Sequence, residues 1–347
     1  MLSDKKHSDV PPCISAASFW VPDLINLTAW IEHAPFGFWL VEATKPGTIV
    51  ELGTHQGYSY FVFCQAVKQL GLATRCYAVD TWKGDIHSGF YDDEIFQNVN
   101  SHNTQQYSGF SQLMRTTFDD AVKYFTDGSI DILHIDGRHF YDDVKHDFET
   151  WLPKLSDRAI VLFHDTNIKE RNFGIFKCWD ELCQLYPHFE FIHGNGLGVL
   201  GVGKSIAPQL HALFEIVKND EQVATTRLLY SRLGASLTDR YNSMKHAQEV
   251  ESLHADMFAE KIKFEQTTIQ TALQNEEEKK KLKIDLESTQ QALQQLKIQL
   301  SITEGALKVR NATINSLNSA FSDIYSSIFW RWLPPLKKLR DSFLLRS

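Results

Sequence analysis

The chain has 347 residues, enough for one sizeable α/β domain and a second segment, and 43% of them are hydrophobic, as a packed core requires. Its formal net charge of −8 argues against a nucleic-acid binder that works by neutralising phosphates. The five cysteines lack metal-ligand spacing and indicate a reducing cytosol; no signal sequence or membrane-spanning run is visible. We therefore expect a cytoplasmic protein without a nucleic-acid partner.

The first 45 residues contain two aromatic-rich groups, one ending at Trp20 and one running from Trp30 to Leu40. We expect residues 1–45 to form a helical layer that packs over a sheet. A share in a lid over a binding site is the alternative.

A strand, a glycine turn and a helix follow one another. Thr48–Leu52 is a β-branched run typical of a buried strand, and Tyr60–Val67 predicts a helix. Gly53 would allow the tight turn between them, and Gly57 would let the helix pack closely on the strand. Such a unit presents backbone N–H groups to a nucleotide-like ligand. The glycine spacing differs from the dinucleotide pattern, and Glu51 could accept from a ligand ammonium, which points to S-adenosylmethionine.

A second acidic residue ends the next predicted strand. Asp80 follows Arg75–Val79, in the position where a carboxylate binds ribose hydroxyls in such folds. Either acidic residue alone could reflect ordinary turn chemistry. Together, and in this order, they favour a cofactor site.

Strand and helix patterns alternate from residue 48 to about residue 204, which predicts an α/β fold with a doubly wound, mostly parallel sheet. The predicted strands are residues 48–52, 75–79, 111–115, 130–135, 158–163, 189–193 and 197–202. A short Gly-Asn-Gly turn joins the last two. Residues 83–110 form a polar insertion, and we expect it to be a lid that folds over the cofactor and shapes the acceptor site.

The composition changes beyond residue 205. Residues 206–243 predict a helical linker, and residues 244–328, rich in Glu, Lys, Gln and Leu, predict a long α-helical coiled coil. The apolar residues of its heptad seam are Leu282, Leu286, Leu293, Leu296, Leu300, Leu307, Ile314, Leu317, Phe321, Ile324 and Ile328. Thr289, Thr303 and Arg310 interrupt this seam. We expect a homodimer or homotrimer, with pairing to another protein as the alternative.

The last segment, residues 329–347, mixes tryptophans and leucines with cations. Five Lys or Arg stand against two Asp between Asn318 and Ser347. A basic amphipathic segment with tryptophan suits a membrane interface, so we expect peripheral docking on the inner face of the cytoplasmic membrane. A segment folded onto the coiled coil is the alternative.

Five motifs together resemble one family. Glu51–Ser59 resembles the first motif of class I S-adenosylmethionine-dependent methyltransferases, in the form seen in catechol-type O-methyltransferases. Four later segments resemble, in order, a bacterial branch of that superfamily associated with surface-polysaccharide and glycan biosynthesis: Asp80–Asp85, His134–His139, Leu162–Thr166 and Gly194–Val199. The resemblance covers about residues 15–205 and implies a Rossmann-like sheet closed by an antiparallel edge hairpin.

The resemblance also implies site residues. The residues expected to contact S-adenosylmethionine are Glu51, Gly53, Gly57, Tyr58, Ser59, Asp80, Thr117 and Phe118, with the last two beside its adenine. Asp136 and Asp165 match carboxylates that bind Mg²⁺ or another divalent cation, which would lower the pKa of the acceptor hydroxyl. Thr166 stands where the family often has an asparagine, as the third metal ligand.

Transfer of a methyl group to a hydroxyl requires a group that removes the proton. His139 is the predicted general base, acting with Asp136, because an unperturbed imidazole titrates near neutral pH. The alternative for His139 is a hydrogen bond that holds Asp136. His164 is predicted to orient Asp165.

The leading interpretation is an S-adenosylmethionine-dependent methyltransferase that O-methylates a hydroxyl of a sugar or glycan in cell-surface polysaccharide biosynthesis, with a glycosyltransferase as partner. One alternative is a coiled-coil scaffold with a non-catalytic head, which the intact glycine and acidic residues argue against. The other alternative is metal-dependent oxidation or hydroxylation on the same fold, and transfer of a labelled methyl group would separate it from the first interpretation.

Overall fold

The computed structural model describes residues 13–85, 89–90, 92–170, 173–272 and 278–326. The chain divides after Tyr241 into two units. The first contains a seven-stranded sheet with helices on both faces, and the described part of the second is helical.

Nine strands form in the described part of the chain. They are β1 Thr48–Leu52, β2 Arg75–Asp80, β3 Gly84–Asp85, β4 Gly89–Phe90, β5 Ser111–Arg115, β6 Ile130–Ile135, β7 Leu155–His164, β8 His188–Phe191 and β9 Leu197–Gly201. All residues of β6 are buried, and so are four of the five in β1. Strands that are covered on both faces are expected to be mostly apolar. The exceptions here are Thr48 and Glu51 in β1 and Asp131 and His134 in β6.

The seven-stranded sheet has the order β5-β2-β1-β6-β7-β9-β8. The first five strands of this order are parallel, so their carboxyl ends lie along one edge. Strand β9 is antiparallel to β7, and β8 is antiparallel to β9. The predicted doubly wound sheet with an antiparallel hairpin at its edge is therefore confirmed. All seven predicted strands form, and β7 begins at Leu155, three residues earlier than predicted.

The α-helices of the described residues are α1 Ala34–Thr44, α2 Tyr58–Leu70, α3 Asp93–Gln106, α4 Phe118–Ala121, α5 Tyr141–Trp151, α6 Ile175–Cys183, α7 Pro208–Glu215, α8 Asp220–Ala272 and α9 Glu278–Ser326. Those of the first unit cover both faces of the sheet. Successive residues of a strand point to opposite faces. Ile49 accordingly packs in the cluster that contains α1 and α2, whereas Val50 packs in the cluster that contains α5 and α6.

The N-terminal region packs on the first of these faces. Short 3₁₀ helices at Ala16–Phe19 and Ile31–His33 lead into α1. Helix α1 is buried from Ala34 to Val41, because it is apolar on every side and is enclosed by neighbouring elements. Residues 1–12 of the predicted helical layer lie outside the described residues.

The insertion at residues 83–110, which was predicted to be a lid, contains a helix. Residues 93–106 of it form α3, which packs beside the sheet: the Phe96 ring lies 5.0 Å from that of Trp82, and Asp93 pairs with Arg115 at 2.6 Å. Val99 and Asn103 are the buried residues of this mostly polar helix. Residues 86–88 and 91 lie outside the described residues.

The predicted linker, residues 206–243, is largely part of the first unit. Helix α8 begins inside it and continues past residue 244 without a break. Tyr230, Leu233 and Leu237 of α8 are buried, and the Tyr230 hydroxyl donates to the Cys13 carbonyl. The first third of α8 therefore completes the core of the sheet domain.

The second unit consists of the rest of α8 and of α9. Leu293, Leu300 and Leu307 of the predicted seam are half-buried, whereas Leu296 and Leu317 are 40% and 54% exposed. The coiled coil stays a prediction, because it requires a partner helix packed along the seam. Residues 327–347, with the predicted membrane-docking tail, lie outside the described residues. Within the described ranges, every helix is too short or too polar to cross a bilayer.

Candidate active site

A cavity of about 780 Å³ opens at the carboxyl edge of the parallel strands, where ligands bind in open α/β sheets. Its walls come from the segments that follow β1, β2, β5, β6 and β7, and from residues 26–30. The predicted site residues that line it are Gly53, Tyr58, Ser59, Asp80, Thr117, Phe118, Asp136, His139 and Asp165. Glu51, Gly57 and Thr166 are not part of its wall.

The two glycines of the first turn have left-handed backbones, with φ of +87° at Gly53 and +83° at Gly57. A Cβ atom on Gly53 would overlap the carbonyl oxygen of Asp136, so glycine is needed where the ends of β1 and β6 meet. Gly57 is the N-cap of α2, and a Cβ atom there would lie 2.6 Å from the Phe61 ring. Gly53 thus shapes the cavity, while Gly57 sets the start of the helix.

Asp80 holds the glycine turn closed. Its Oδ2 accepts the backbone N–H groups of Thr54 and His55, both at 2.9 Å, and its Oδ1 accepts that of Trp82 at 2.7 Å. Each carboxylate oxygen has about two lone-pair directions, so Asp80 can also accept hydrogen bonds from a ligand in the cavity.

Glu51 lies beneath the cavity and is fully buried. Its Oε2 accepts from Nδ1 of His134 at 2.8 Å, and Nε2 of His134 accepts the indole N–H of Trp30 at 3.2 Å. This chain of hydrogen bonds implies a neutral His134 with its proton on Nδ1. Burial raises the pKa of Glu51, although the hydrogen bond from His134 opposes that rise. A direct contact between Glu51 and a cofactor ammonium would require this buried cluster to open.

Asp136, His139 and Asp165 form a compact cluster in the cavity wall. One donor atom from each residue lies within 4.8 Å of the other two, an arrangement that could hold a metal ion. Nε2 of His139 lies 3.0 Å from Oδ2 of Asp165 and 3.6 Å from Oδ1 of Asp136. The ring of His139 stacks on Phe173 at 4.5 Å, which fixes its plane.

The electrostatics of this cluster change the expected behaviour of His139. Burial by itself would lower the pKa of His139, but the hydrogen bonds and charges of Asp136 and Asp165 outweigh it and raise the pKa to about 10. For Asp136, burial would raise the pKa, but the charge of His164 and the bond to His139 outweigh it and hold the pKa well below its usual range. His139 is therefore protonated at neutral pH in this arrangement and cannot accept a proton.

His164 lies between the two carboxylates and a turn. Its Nδ1 is 3.2 Å from Oδ1 of Asp136 and 3.4 Å from Oδ1 of Asp165, and its Nε2 donates to the Gly194 carbonyl at 3.2 Å. Nε2 of His33 donates to the same carbonyl at 3.0 Å. Burial would lower the pKa of His164, but both carboxylates outweigh it and raise the pKa to about 9. His164 thus contacts Asp136 more closely than Asp165, the residue it was predicted to orient.

Thr166 does not line the cavity, in contrast to Asp136 and Asp165. It is 2% exposed, and its hydroxyl has no hydrogen-bond partner among the described residues. It packs against Gly196, where a Cβ atom would lie 2.7 Å from the Thr166 hydroxyl oxygen. The third ligating side chain that the structure places beside Asp136 and Asp165 is His139.

Several cavity residues escaped the sequence analysis. Asn26–Trp30 forms part of the wall, and Trp30 reaches a histidine 104 positions away through its indole N–H. Asp147 of α5 also lines the cavity. No local pattern marks these residues, because their place in the site depends on contacts between distant segments.

Comparison with known proteins finds similarity in the central part of the chain. Residues 50–166 match the family model described as "Methyltransferase domain". Over 221 residues the chain is 51% identical to an uncharacterized protein, y4gI, of Sinorhizobium fredii; this match covers 64% of the chain and 24% of that protein. The chain therefore spans about a quarter of the length of this curated relative.

Two similar solved structures are methyltransferases. One is the S-adenosylhomocysteine-bound PaMTH1 of Podospora anserina, 13% identical, with a TM-score of 0.39 over 49% of this chain and 77% of that one. The other is the O-methyltransferase TomG of Streptomyces achromogenes in complex with S-adenosylmethionine, 14% identical, with a TM-score of 0.38 over 52% of this chain and 83% of that one.

Proposed function

We propose that this chain is an S-adenosylmethionine-dependent O-methyltransferase that acts on a hydroxyl of a sugar or glycan. One observation carries the proposal: the glycine turn, Asp80, Phe118 and Asp136, from four separate segments, line one cavity. Residues 50–166, which contain all of these residues, match a methyltransferase domain.

Each part of the cavity suits one part of the cofactor. Asp80 would accept the ribose hydroxyls while its backbone partners keep the carboxylate fixed. Thr117 and Phe118 would contact the adenine, and Tyr58 and Ser59 would face the amino-acid end at the start of α2. Because the protein holds these groups in place before the cofactor arrives, donor and acceptor can be aligned for in-line displacement.

The cluster at Asp136 and Asp165 fits a divalent cation such as Mg²⁺. Oδ1 of Asp165 is buried and accepts no hydrogen bond from the described residues, so it has a free lone pair for a ligand. When bound, a divalent cation would hold the acceptor oxygen and lower its pKa. His139 remains the proposed general base. Because Asp136 and Asp165 raise its pKa to about 10, the imidazole must first lose the proton that these carboxylates stabilise.

Uncharged polar side chains of the cavity wall support a polyhydroxyl acceptor. Asn26, Thr28 and Gln56 line the cavity and offer uncharged donors and acceptors. Neutral hydroxyls and amides match the hydroxyl groups of a sugar. A role in bacterial surface-polysaccharide biosynthesis, with a glycosyltransferase as partner, is the biological setting we propose; the scaffold and the oxidation interpretations are the competing ones.

The first experiment is a calorimetric titration of the chain with S-adenosylmethionine and S-adenosylhomocysteine. We expect micromolar binding, weakened in Asp80→Ala by about 1–3 kcal/mol, the loss of hydrogen bonds to a charged group. Asp119→Ala is the matched control, because Asp119 lines the same cavity but pairs with His146 on an exposed rim. Unchanged affinity in Asp80→Ala would remove Asp80 from the ribose role, and absence of binding by the folded chain would favour the scaffold.

A second experiment separates methyl transfer from oxidation. The chain is incubated with S-adenosylmethionine labelled in its methyl group and with a panel of sugars and glycans. Label in an ether linkage to the sugar supports the proposal. A sugar oxidised without incorporation of label would support oxidation or hydroxylation instead.

A further inference from the structure

We infer that His139 is the third protein ligand of the metal site, in place of Thr166, so that the site binds a transition ion through two carboxylates and one imidazole. The inference deepens the proposed function and rests on it only for the reaction that the metal would serve. A metal-bound Nε2 has no lone pair left to accept a proton, so this ligand role would replace the general-base role of His139.

The spacing of the donor atoms suits a metal ion. Ligands about 2.1 Å from an octahedral ion lie about 3 Å apart when they are neighbours. The separations of 3.0 Å from Nε2 of His139 to Asp165 and 3.6 Å to Asp136 are close to that edge. All three donor atoms lie within 4.8 Å of one another.

Oδ1 of Asp165 provides a second observation in favour of a cation in this cluster. Asp165 is 6% exposed, and its Oδ1 atom is buried and accepts no hydrogen bond from the described residues, although Nδ1 of His164 lies 3.4 Å from it. A buried carboxylate oxygen that accepts no hydrogen bond is usually matched to a bound group. A cation held between Asp136, His139 and Asp165 would supply that partner.

Thr166 cannot take the same place without rearrangement. Its hydroxyl lies against the Gly194–Gly196 turn, away from the cavity wall. The neighbouring backbone is anchored there, since the N–H of Asn167 donates to the Asn195 carbonyl at 2.9 Å. In contrast, His139 is held towards the carboxylates by its stack on Phe173 and by the bond from the N–H of Gly174 to its carbonyl at 2.7 Å.

The donor set predicts which ion binds. Mg²⁺ prefers oxygen ligands, whereas imidazole suits ions of the Mn²⁺ to Zn²⁺ series. A site with one imidazole should therefore bind Mn²⁺ more tightly than Mg²⁺. An all-oxygen site of two aspartates and a threonine would show a weaker preference.

The test uses Mn²⁺ and the whole chain. Pulsed electron paramagnetic resonance detects the modulation that a directly bound imidazole nitrogen imposes on the Mn²⁺ signal, and calorimetry measures the affinities for Mn²⁺ and Mg²⁺. We expect a nitrogen signal in the wild type that is absent in His139→Ala, with Mn²⁺ affinity lowered about tenfold or more. His139→Glu should restore binding without the nitrogen signal and narrow the preference for Mn²⁺ over Mg²⁺.

Thr166→Val is the matched control, because it removes the hydroxyl and keeps the shape; it should leave the Mn²⁺ affinity and the nitrogen signal unchanged. Mn²⁺ bound without a nitrogen signal, or a loss of Mn²⁺ affinity in Thr166→Val equal to that in His139→Ala, would overturn the inference.

S-adenosylhomocysteine is titrated in parallel. If it binds and Mn²⁺ does not, the inference fails while the proposed function stands; if it does not bind, the proposed function fails independently.

Discussion

At the scale of single residues, burial raises the pKa of the Asp147 carboxyl group. It is 7% exposed, and burial raises its pKa to about 7, although the charge of His146 opposes this. Between about pH 4 and pH 7 the folded chain keeps a proton that the unfolded chain releases. The free energy of unfolding therefore falls as the pH rises through this window.

Asp147→Asn should remove this dependence. Relative to the wild type, we expect the variant to gain about 1–3 kcal/mol in free energy of unfolding between about pH 5 and pH 8, measured by chemical denaturation at both values. Asp119→Asn is the control, because the Asp119 side chain is 64% exposed. A parallel pH dependence in Asp147→Asn and the wild type would contradict the raised pKa.

The residues of the site differ in how well the sequence predicted them. Asp80 and Asp136 follow predicted strands of a parallel sheet, so their place at the cavity could be inferred. Glu51 also lies in a strand, but its side chain points into the core and is held by His134. The pKa of His139 could not be inferred either, because it depends on Asp165, which is 26 positions away in the sequence but 3.0 Å away in space.

At the scale of elements, the Gly194–Gly196 turn between β8 and β9 links two parts of the cavity. The Gly194 carbonyl accepts from His164, which contacts Asp136, and from His33, which follows the wall segment 26–30. The backbone of Gly194 is left-handed, with φ of +54°. A Cβ atom there would lie 2.7 Å from the Ala29 carbonyl oxygen and 2.8 Å from Nε2 of His33.

Gly194→Ala should therefore destabilise the chain for two reasons. Adopting a left-handed backbone costs alanine about 1 kcal/mol, and relieving the clash adds about 1–3 kcal/mol. Gly71→Ala carries only the first cost, because Gly71 has φ of +63° and no atom within 4 Å of an added Cβ. Thermal unfolding of both variants measures the difference. If the unfolding temperature falls equally in Gly194→Ala and Gly71→Ala, the added Cβ atom at Gly194 does not clash with Ala29 and His33.

The elements themselves were predicted more accurately than their packing. Most of the predicted strands are apolar runs bounded by polar or glycine residues, and all seven form. Residues 83–110 were predicted to be a lid because they are polar, and the helix α3 that forms there packs through Phe96 on Trp82. Composition does not reveal contacts of this kind between distant segments.

At the scale of the whole molecule, the apolar seam of α9 predicts self-association. Leu293, Leu300 and Leu307 recur every seven residues and are only half-buried in a single chain. A heptad stripe of this kind is buried when helices pair. We therefore propose a homodimer or homotrimer formed through the second unit.

Leu300→Asp should lower the measured mass to that of the monomer, because it places a charge in the seam, where it would be desolvated. Light scattering coupled to size-exclusion chromatography gives the mass. Ile302→Asp is the matched control: Ile302 lies on the same helix, off the seam, and is 68% exposed. A monomeric wild type would instead favour pairing with another protein.

The sequence by itself determined the order of strands and helices, the carboxyl edge at which Asp80, Asp136 and Asp165 meet, and the long helices that follow. These features depend on local periodicity and on the rule that parallel strands end at one edge. Only the tertiary structure decided that Glu51 is buried on His134, that His139 rather than Thr166 faces the carboxylates, and that Tyr230, Leu233 and Leu237 of α8 pack into the core. Side-chain direction and protonation depend on neighbours from distant segments, which no local pattern specifies.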